Sequence, residues 1–212
     1  MTLTRNLSLI PEQSALLIID VQNFSTKREG GEFGHMSDDE FEAAAGPFMR
    51  RIWSETIPNI RRLQDLFRAT GGEVIFTNIE SLTKDGRDRS LDYKITGFNV
   101  PKGSHDAQTV DEIAPIDDEI VIPKTSSSVF ISTNIDYVLR NLGIRQVTIV
   151  GLVTDQCVES AIRDACDMGY LVTQVTDACM TYTEERQSAS INAIKGYCRQ
   201  LSTDDLVSEL SA

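Results

Sequence analysis

The chain has 212 residues, long enough for one domain with a sizeable core, and its 41% hydrophobic and 25% charged residues match an ordinary globular protein. A formal charge of −12 argues against a nucleic acid or an anionic membrane as partner, because both require a positive surface. The opening MTLTRNLSLIPEQSALLIID holds an apolar stretch too short for a signal peptide, and nothing approaches the ~18 apolar residues that span a bilayer. Cys157, Cys166, Cys179 and Cys198 show no C-x-x-C spacing, which predicts free thiols in a reducing cytoplasm.

SALLIID (Ser14–Asp20) is continuously apolar, the pattern of a strand buried on both faces of a parallel sheet. A polar stretch from Ser25 to Ala45 follows. Ile57, Ile60, Leu63, Leu66 and Phe67 then recur at helical spacing within Trp53–Ala69, and Gly71-Gly72 ends that helix. Strands are predicted at Glu73–Glu80 and at Glu119–Lys124, where Pro123 bars further pairing. The segment Thr83–Ser104 is too long for an ordinary connection and reads equally well as a lid, a substrate loop, an oligomer contact or a solvated excursion. A helix at Thr133–Asn141 precedes a strand at Gln146–Gly151, a helix holding Cys157, and a strand at Tyr170–Asp177. The pattern closes with a helix at Glu184–Cys198, a short strand near Arg199–Leu201 and a last helix capped by Ser202 or Thr203. Strand and helix alternate, so the predicted fold is α/β: one domain over residues 1–212, with a mostly parallel central sheet of about six strands and helices on both faces.

Ligands of open parallel sheets bind at the carboxyl ends of the strands. Three reactive residues are predicted there: Asp20 ends the first strand, Lys124 ends the third, and the fourth runs through GLVTDQ to Cys157. Singly, each has a plainer reading: a turn aspartate, a surface lysine, a small buried hydrophobe. Together they supply a nucleophile, a proton acceptor and a cation. A helix N-terminus and a nearby ammonium lower a thiol's pKa, a carboxylate takes the thiol proton, and the turn before Cys157 offers backbone N–H groups to an oxyanion. This set suffices for acyl transfer through a thioester.

The stretches LLIIDVQNF (Leu16–Phe24), VIPKTSSSVF (Val121–Phe130) and VTIVGLVTDQCVESAIRDACDMGY (Val147–Tyr170), in this order, resemble the isochorismatase-like cysteine hydrolases, the group of nicotinamidase and N-carbamoylsarcosine amidase. The resemblance implies a three-layer α/β sandwich and a catalytic triad of Asp20, Lys124 and Cys157. It also implies a non-proline cis peptide at Leu152–Val153, an oxyanion hole from the backbone N–H groups of Val153 and Cys157, and a homo-oligomer, dimer or tetramer. Phe24 takes the place of a pocket residue, although DVQNF lacks the extra acidic residue of the usual D-x-Q-N-D-F form.

Metal-binding members carry D-x-H after the second strand. Here the stretch is NIES, and His35 and His105 are the chain's two histidines, so neither a metal nor another cofactor is expected. Asn78 and Glu80 become candidate substrate contacts, a salt-bridged strand-end carboxylate being the alternative for Glu80. Arg87, Lys94 and Lys102 of the long segment would suit a substrate with a carboxylate or carbonyl tail. In TSSS (Thr125–Ser128), capping of the turn is preferred over substrate contact. The expected reaction is hydrolysis of a C–N bond in a small amide, carbamoyl or ureido compound. The competing expectation is a peroxide-sensing or regulatory thiol on the same fold without turnover.

Overall fold

The computed structural model describes residues 4–211, so the opening Met-Thr-Leu and the final alanine lie outside the described residues. Six strands, β1 (Ser14–Ile19), β2 (Glu73–Ile79), β3 (Ile120–Lys124), β4 (Gln146–Leu152), β5 (Leu171–Met180) and β6 (Arg199–Leu201), form one sheet in the order β3-β2-β1-β4-β5-β6. Every pairing is parallel. All six residues of β1 and all seven of β4 are buried, which accounts for their unbroken apolar runs.

The helices are α1 (Asn23–Thr26), α2 (Asp38–Arg51), α3 (Ile57–Thr70), α4 (Leu91–Ile95), α5 (Val129–Ser132), α6 (Ile135–Asn141), α7 (Glu159–Asp167), α8 (Glu184–Ile194) and α9 (Thr203–Leu210). Because successive strands step outward from β1 in one direction and from β4 in the other, right-handed crossovers place α3 and α7 on opposite faces. α3 packs with α9 on β5's side of one layer, while α7 meets α5 and α8 in the other.

The strand order reverses between β1 and β4, and the crevice above their carboxyl ends is the place where such sheets bind ligands. Fully buried Gln22 fixes this edge. Its amide donates to Ile79 O and Asp106 O at 3.0 and 2.9 Å and accepts from Ile79 N–H at 2.7 Å, tying the ends of β1 and β2 to the segment before β3.

Several boundaries differ from the sequence expectation. The stretch read as polar, Ser25–Ala45, contains the end of α1 and half of α2, which opens with a capping box: Ser37 Oγ accepts from Glu40 N–H and Glu40 Oε2 from Ser37 N–H. α8 stops at Ile194 rather than Cys198, and β5 runs on to Met180 across a register shift opposite Ile149–Gly151. Cys157 lies in a wide π-type turn, Thr154–Val158, that leads into α7.

Candidate active site

Asp20, Lys124 and Cys157 come together although three different strands deliver them. Asp20 follows β1 directly with a left-handed backbone (φ 56°), its N–H donating to Thr77 O at 2.8 Å, so the chain turns off the sheet there. β3 lies two strands from β1, and the four-carbon stem of Lys124 bridges the gap. Its Nζ stands 2.8 Å from Asp20 Oδ2, donates to Ser126 O at 2.8 Å, and reaches Cys157 Sγ at 3.4 Å. Cys157 is placed by the end of β4. Gly151, with φ 116°, passes so close to β1 that a Cβ would sit 2.1 Å from Ile19 O, and the next peptide, Leu152–Val153, is cis.

Burial dominates the electrostatics. It raises the Asp20 carboxyl above the usual carboxylate range against the opposing pull of Lys124. It works against the Lys124 charge as well, but Asp20, Cys157 and Tyr93 together outweigh it and hold the ammonium above its ordinary range. Burial pushes the Cys157 thiol up to about 12, with Lys124 pulling the other way. Burial thus works against the lowered thiol pKa expected from the helix end and the lysine, because a thiolate loses its hydration there. Asp20 Oδ1 accepts no hydrogen bond of good geometry, which leaves it free to receive a proton.

Above these groups lies a cavity of about 520 Å³. Leu152, Val153, Gln156, Cys157 and Ser160 line it from the turn after β4, and Asp92, Tyr93, Thr96 and Phe98 from the long segment. Glu32 and Tyr182 close another side, with the Tyr182 hydroxyl donating to Glu32 Oε1. Tyr93 brings its hydroxyl to 3.9 Å from Cys157 Sγ. The long segment thus forms a wall of the cavity, one of the roles open to it. Its aromatic residues sit in no motif, and nothing in the polar stretch singles out Glu32.

The expected substrate contacts are placed differently. Phe24 is buried behind the lining, edge-on to Phe98 with ring centroids 4.5 Å apart. Asn78 spends its amide on Ala107 O and Thr109 Oγ1 at 2.9 and 3.1 Å, and Glu80 Oε1 accepts from Gly103 N–H at 2.6 Å. Both line a separate hollow with Pro115 and Pro123. Arg87, paired with Asp85 at 3.0 Å, and the exposed Lys94 and Lys102 do not line the cavity either. In TSSS, Ser127 lines the cavity and Ser128 donates to Asp164 instead of capping α5.

Asn78 and Glu80, at the positions of the metal-binding motif, thus have other partners. His105 approaches Asn23 Nδ2 at 3.3 Å. Among the described residues no group of three His, Cys, Asp or Glu side chains is arranged to hold a metal ion. The four cysteines are free, with Cys157, Cys179 and Cys198 buried, and no described helix is long and apolar enough to cross a membrane.

The family model for the isochorismatase domain matches residues 14–205. A ureidoacrylate amidohydrolase, RutB, of Rhizobium rhizogenes is 33% identical over 189 residues, covering 81% of this chain and 72% of its own. The RutB of Agrobacterium fabrum is 32% identical over 189 residues, with coverages of 81% and 78%. Among solved structures, N-carbamoylsarcosine amidase from Thermoplasma acidophilum aligns with a TM-score of 0.69 at 25% identity, over 91% of this chain and 97% of that one. A cysteine hydrolase from Pseudomonas syringae pv. phaseolicola shares the fold with a TM-score of 0.81 at 20% identity, over 97% and 96%. With the family model matched over nearly its whole length, the chain belongs to the isochorismatase family.

Proposed function

We propose that this protein is a metal-independent cysteine amidohydrolase that cleaves a non-peptide C–N bond of a small amide, carbamoyl or ureido compound. The observation that carries the reading is Lys124 Nζ at 2.8 Å from Asp20 and 3.4 Å from Cys157, two residues that line a cavity. The related amidohydrolases act on substrates of this type.

In the proposed reaction Cys157 Sγ attacks the substrate carbonyl carbon while its proton passes to Asp20. Burial disfavours a free thiolate, so the proton leaves sulfur for Asp20 as the new bond forms. The carbonyl oxygen, now negative, is received by the backbone N–H groups of Val153 and Cys157. Collapse of the tetrahedral intermediate breaks the C–N bond, and the leaving nitrogen takes the proton from Asp20. A thioester remains on Cys157. Water then gives a proton to Asp20 as it adds to the thioester; the C–S bond breaks, Asp20 returns that proton to the departing sulfur, and the acid product leaves. Lys124 stays protonated throughout and stabilises each negative charge as it forms.

A peroxide sensor needs no proton shuttle, so the Asp20–Lys124 pair beside Cys157 favours hydrolysis over that reading. Its setting is proposed to be a homo-oligomer, dimer or tetramer, of single-domain chains in the cytoplasm, the first point to be read by light scattering. Ammonia release from a panel of small amides and ureides, with and without chelator and beside Cys157→Ala protein, tests the function. Release that survives chelation and is absent from the variant is the expected result; release that needs a metal, or persists without the thiol, rejects it.

A further inference from the structure

The cavity lining contains three carboxyl groups, Asp20, Glu32 and Asp92, and no lysine, arginine or histidine among the described residues. Asp20 is balanced by Lys124. Of the cations near the cavity, Arg89 donates to the carbonyls of Gly86 and Phe98, and Lys94 is exposed outside the lining. Arg186 pairs with Asp155 at 2.6 Å while lying over the Tyr182 ring. Arg28 binds Asp38 and the carbonyls of Phe33 and Met36, and Lys27 sits on the Trp53 ring. Glu32 and Asp92 are not balanced in this way. Glu32 is half-buried, its Oε1 accepts from Tyr182 and it has no ion pair among the described residues, whereas Asp92 is exposed at the cavity's edge.

Glu32 is held in this position by close packing. A Cβ at Gly30 would meet Asn23 O at 2.3 Å, and one at Gly31 would meet the Phe24 ring at 2.7 Å. The loop therefore lies directly on α1, where Glu32 N–H donates to Phe24 O at 3.2 Å. On the far side the Tyr182 ring rests against Phe48, centroids 4.7 Å apart. Enclosure lifts the Glu32 carboxyl to about 7 despite the tyrosine's hydrogen bond.

From this arrangement we infer that the substrate carries a protonated amine at the end remote from the scissile bond, received by Glu32 with Asp92 at the same cavity's wall. The inference rests on the amidohydrolase reading and narrows it. Ureidoacrylate and N-carbamoylsarcosine, the compounds in the relatives' names, each carry a carboxylate at that end. Here such a group would face Glu32 and Asp92, with no cation in the lining among the described residues. The basic residues that would have suited it, Arg87, Lys94 and Lys102, stand outside the lining.

Three ureas of similar length test this: (3-aminopropyl)urea, butylurea and 3-ureidopropanoate. Their affinities for Cys157→Ala protein are measured by calorimetry at pH 8, where Glu32 is ionised and the amine charged. The ammonium compound is expected to bind at least about tenfold more tightly than the carboxylate, the range of a hydrogen bond to a charged group. Glu32→Gln in the same background should shrink that ratio mainly by weakening the ammonium compound. Equal or tighter binding of 3-ureidopropanoate, no binding of the ammonium compound, or a ratio unmoved by Glu32→Gln overturns the inference. Ammonia release from the same three compounds by the unaltered protein reports separately on the hydrolase reading. Ammonium-selective binding without release supports the subsite while counting against hydrolysis; release with a carboxylate preference does the reverse.

Discussion

Lys124 Nζ lies 2.8 Å from Asp20 Oδ2 with both side chains shut off from solvent, at 0% and 4% exposure. Such a pair survives only because each charge answers the other's desolvation. Removing one partner is therefore far costlier than removing both. Lys124→Met should destabilise the fold by about 3–5 kcal/mol, and adding Asp20→Asn should restore much of the loss. Urea denaturation of the two variants decides it: a double variant no more stable than the single one contradicts the pairing.

The thiols predict a loss of stability in alkali. Burial pushes Cys157, Cys179 and Cys198 up to about 12, whereas an unfolded thiol titrates near ~8.5. A pKa raised in the fold favours the fold while the group is protonated in both states. The contribution is complete below ~8.5 and lost as pH climbs toward 12. Denaturation midpoints should fall steadily from pH 8 to 10.5, and alkylation of resting Cys157 at pH 7 should be slower than that of a free thiol. A flat profile with rapid alkylation would mean that the thiolate is already present.

Glu32 gives the same sign in a different window. Its carboxyl rises from 4.5 to about 7, so its contribution is complete below ~4.5 and disappears as pH passes 7. Glu32→Gln keeps an oxygen for the Tyr182 hydroxyl and carries no charge. At pH 8 it should be more stable than the parent by about 1–2 kcal/mol, part of the full penalty being screened through the open cavity, and at pH 4 the advantage should vanish. Thermal melts at the two pH values compare them; a variant less stable at pH 8 would show that Glu32 serves packing.

Gly151→Ala probes the approach of β4 to β1. The new methyl would meet Ile19 O at 2.1 Å on a backbone with φ 116°. Strand must move from strand, at a cost of at least about 1–3 kcal/mol, and Cys157, six residues on, must move with it. Ammonia release should fall more steeply than the folded fraction seen by circular dichroism; a parallel fall would confine the effect to folding.

The strand ends and their reactive residues were legible because parallel sheets write themselves as unbroken apolar runs, and SALLIID, EIVIPK and QVTIVG each stop at or just before the site. The helix at Asp38 was legible too, through the Ser37–Glu40 box, but the acidic run DDE reads as solvated loop if the box is passed over. Glu32 was not. Its place depends on Gly30 and Gly31 lying on α1 and on Tyr182, which arrives after β5, and no local periodicity records contacts of that kind. Asn78 and Glu80 misled for a related reason: they stand at a strand end, as Asp20 does, but on β2, away from the reversal in strand order. Charge and helix direction near Cys157 can be inferred from residue types, whereas the depth of burial that opposes them cannot.

The strand order has a consequence for how the protein comes into being. β1 forms early in the chain, but its partner on one side, β4, begins only at Gln146, so Leu16 waits for Thr148 and Ile18 for Val150. Until then a growing chain on the ribosome carries an apolar strand with one raw edge, open to pairing with a neighbouring nascent chain. Such long-range closure makes for slow folding. A chain cut before Gln146 keeps Asp20 and Lys124 but lacks both the strand that would seal β1 and the thiol. Assembly of the nucleophile and burial of the sticky edge are thus one event.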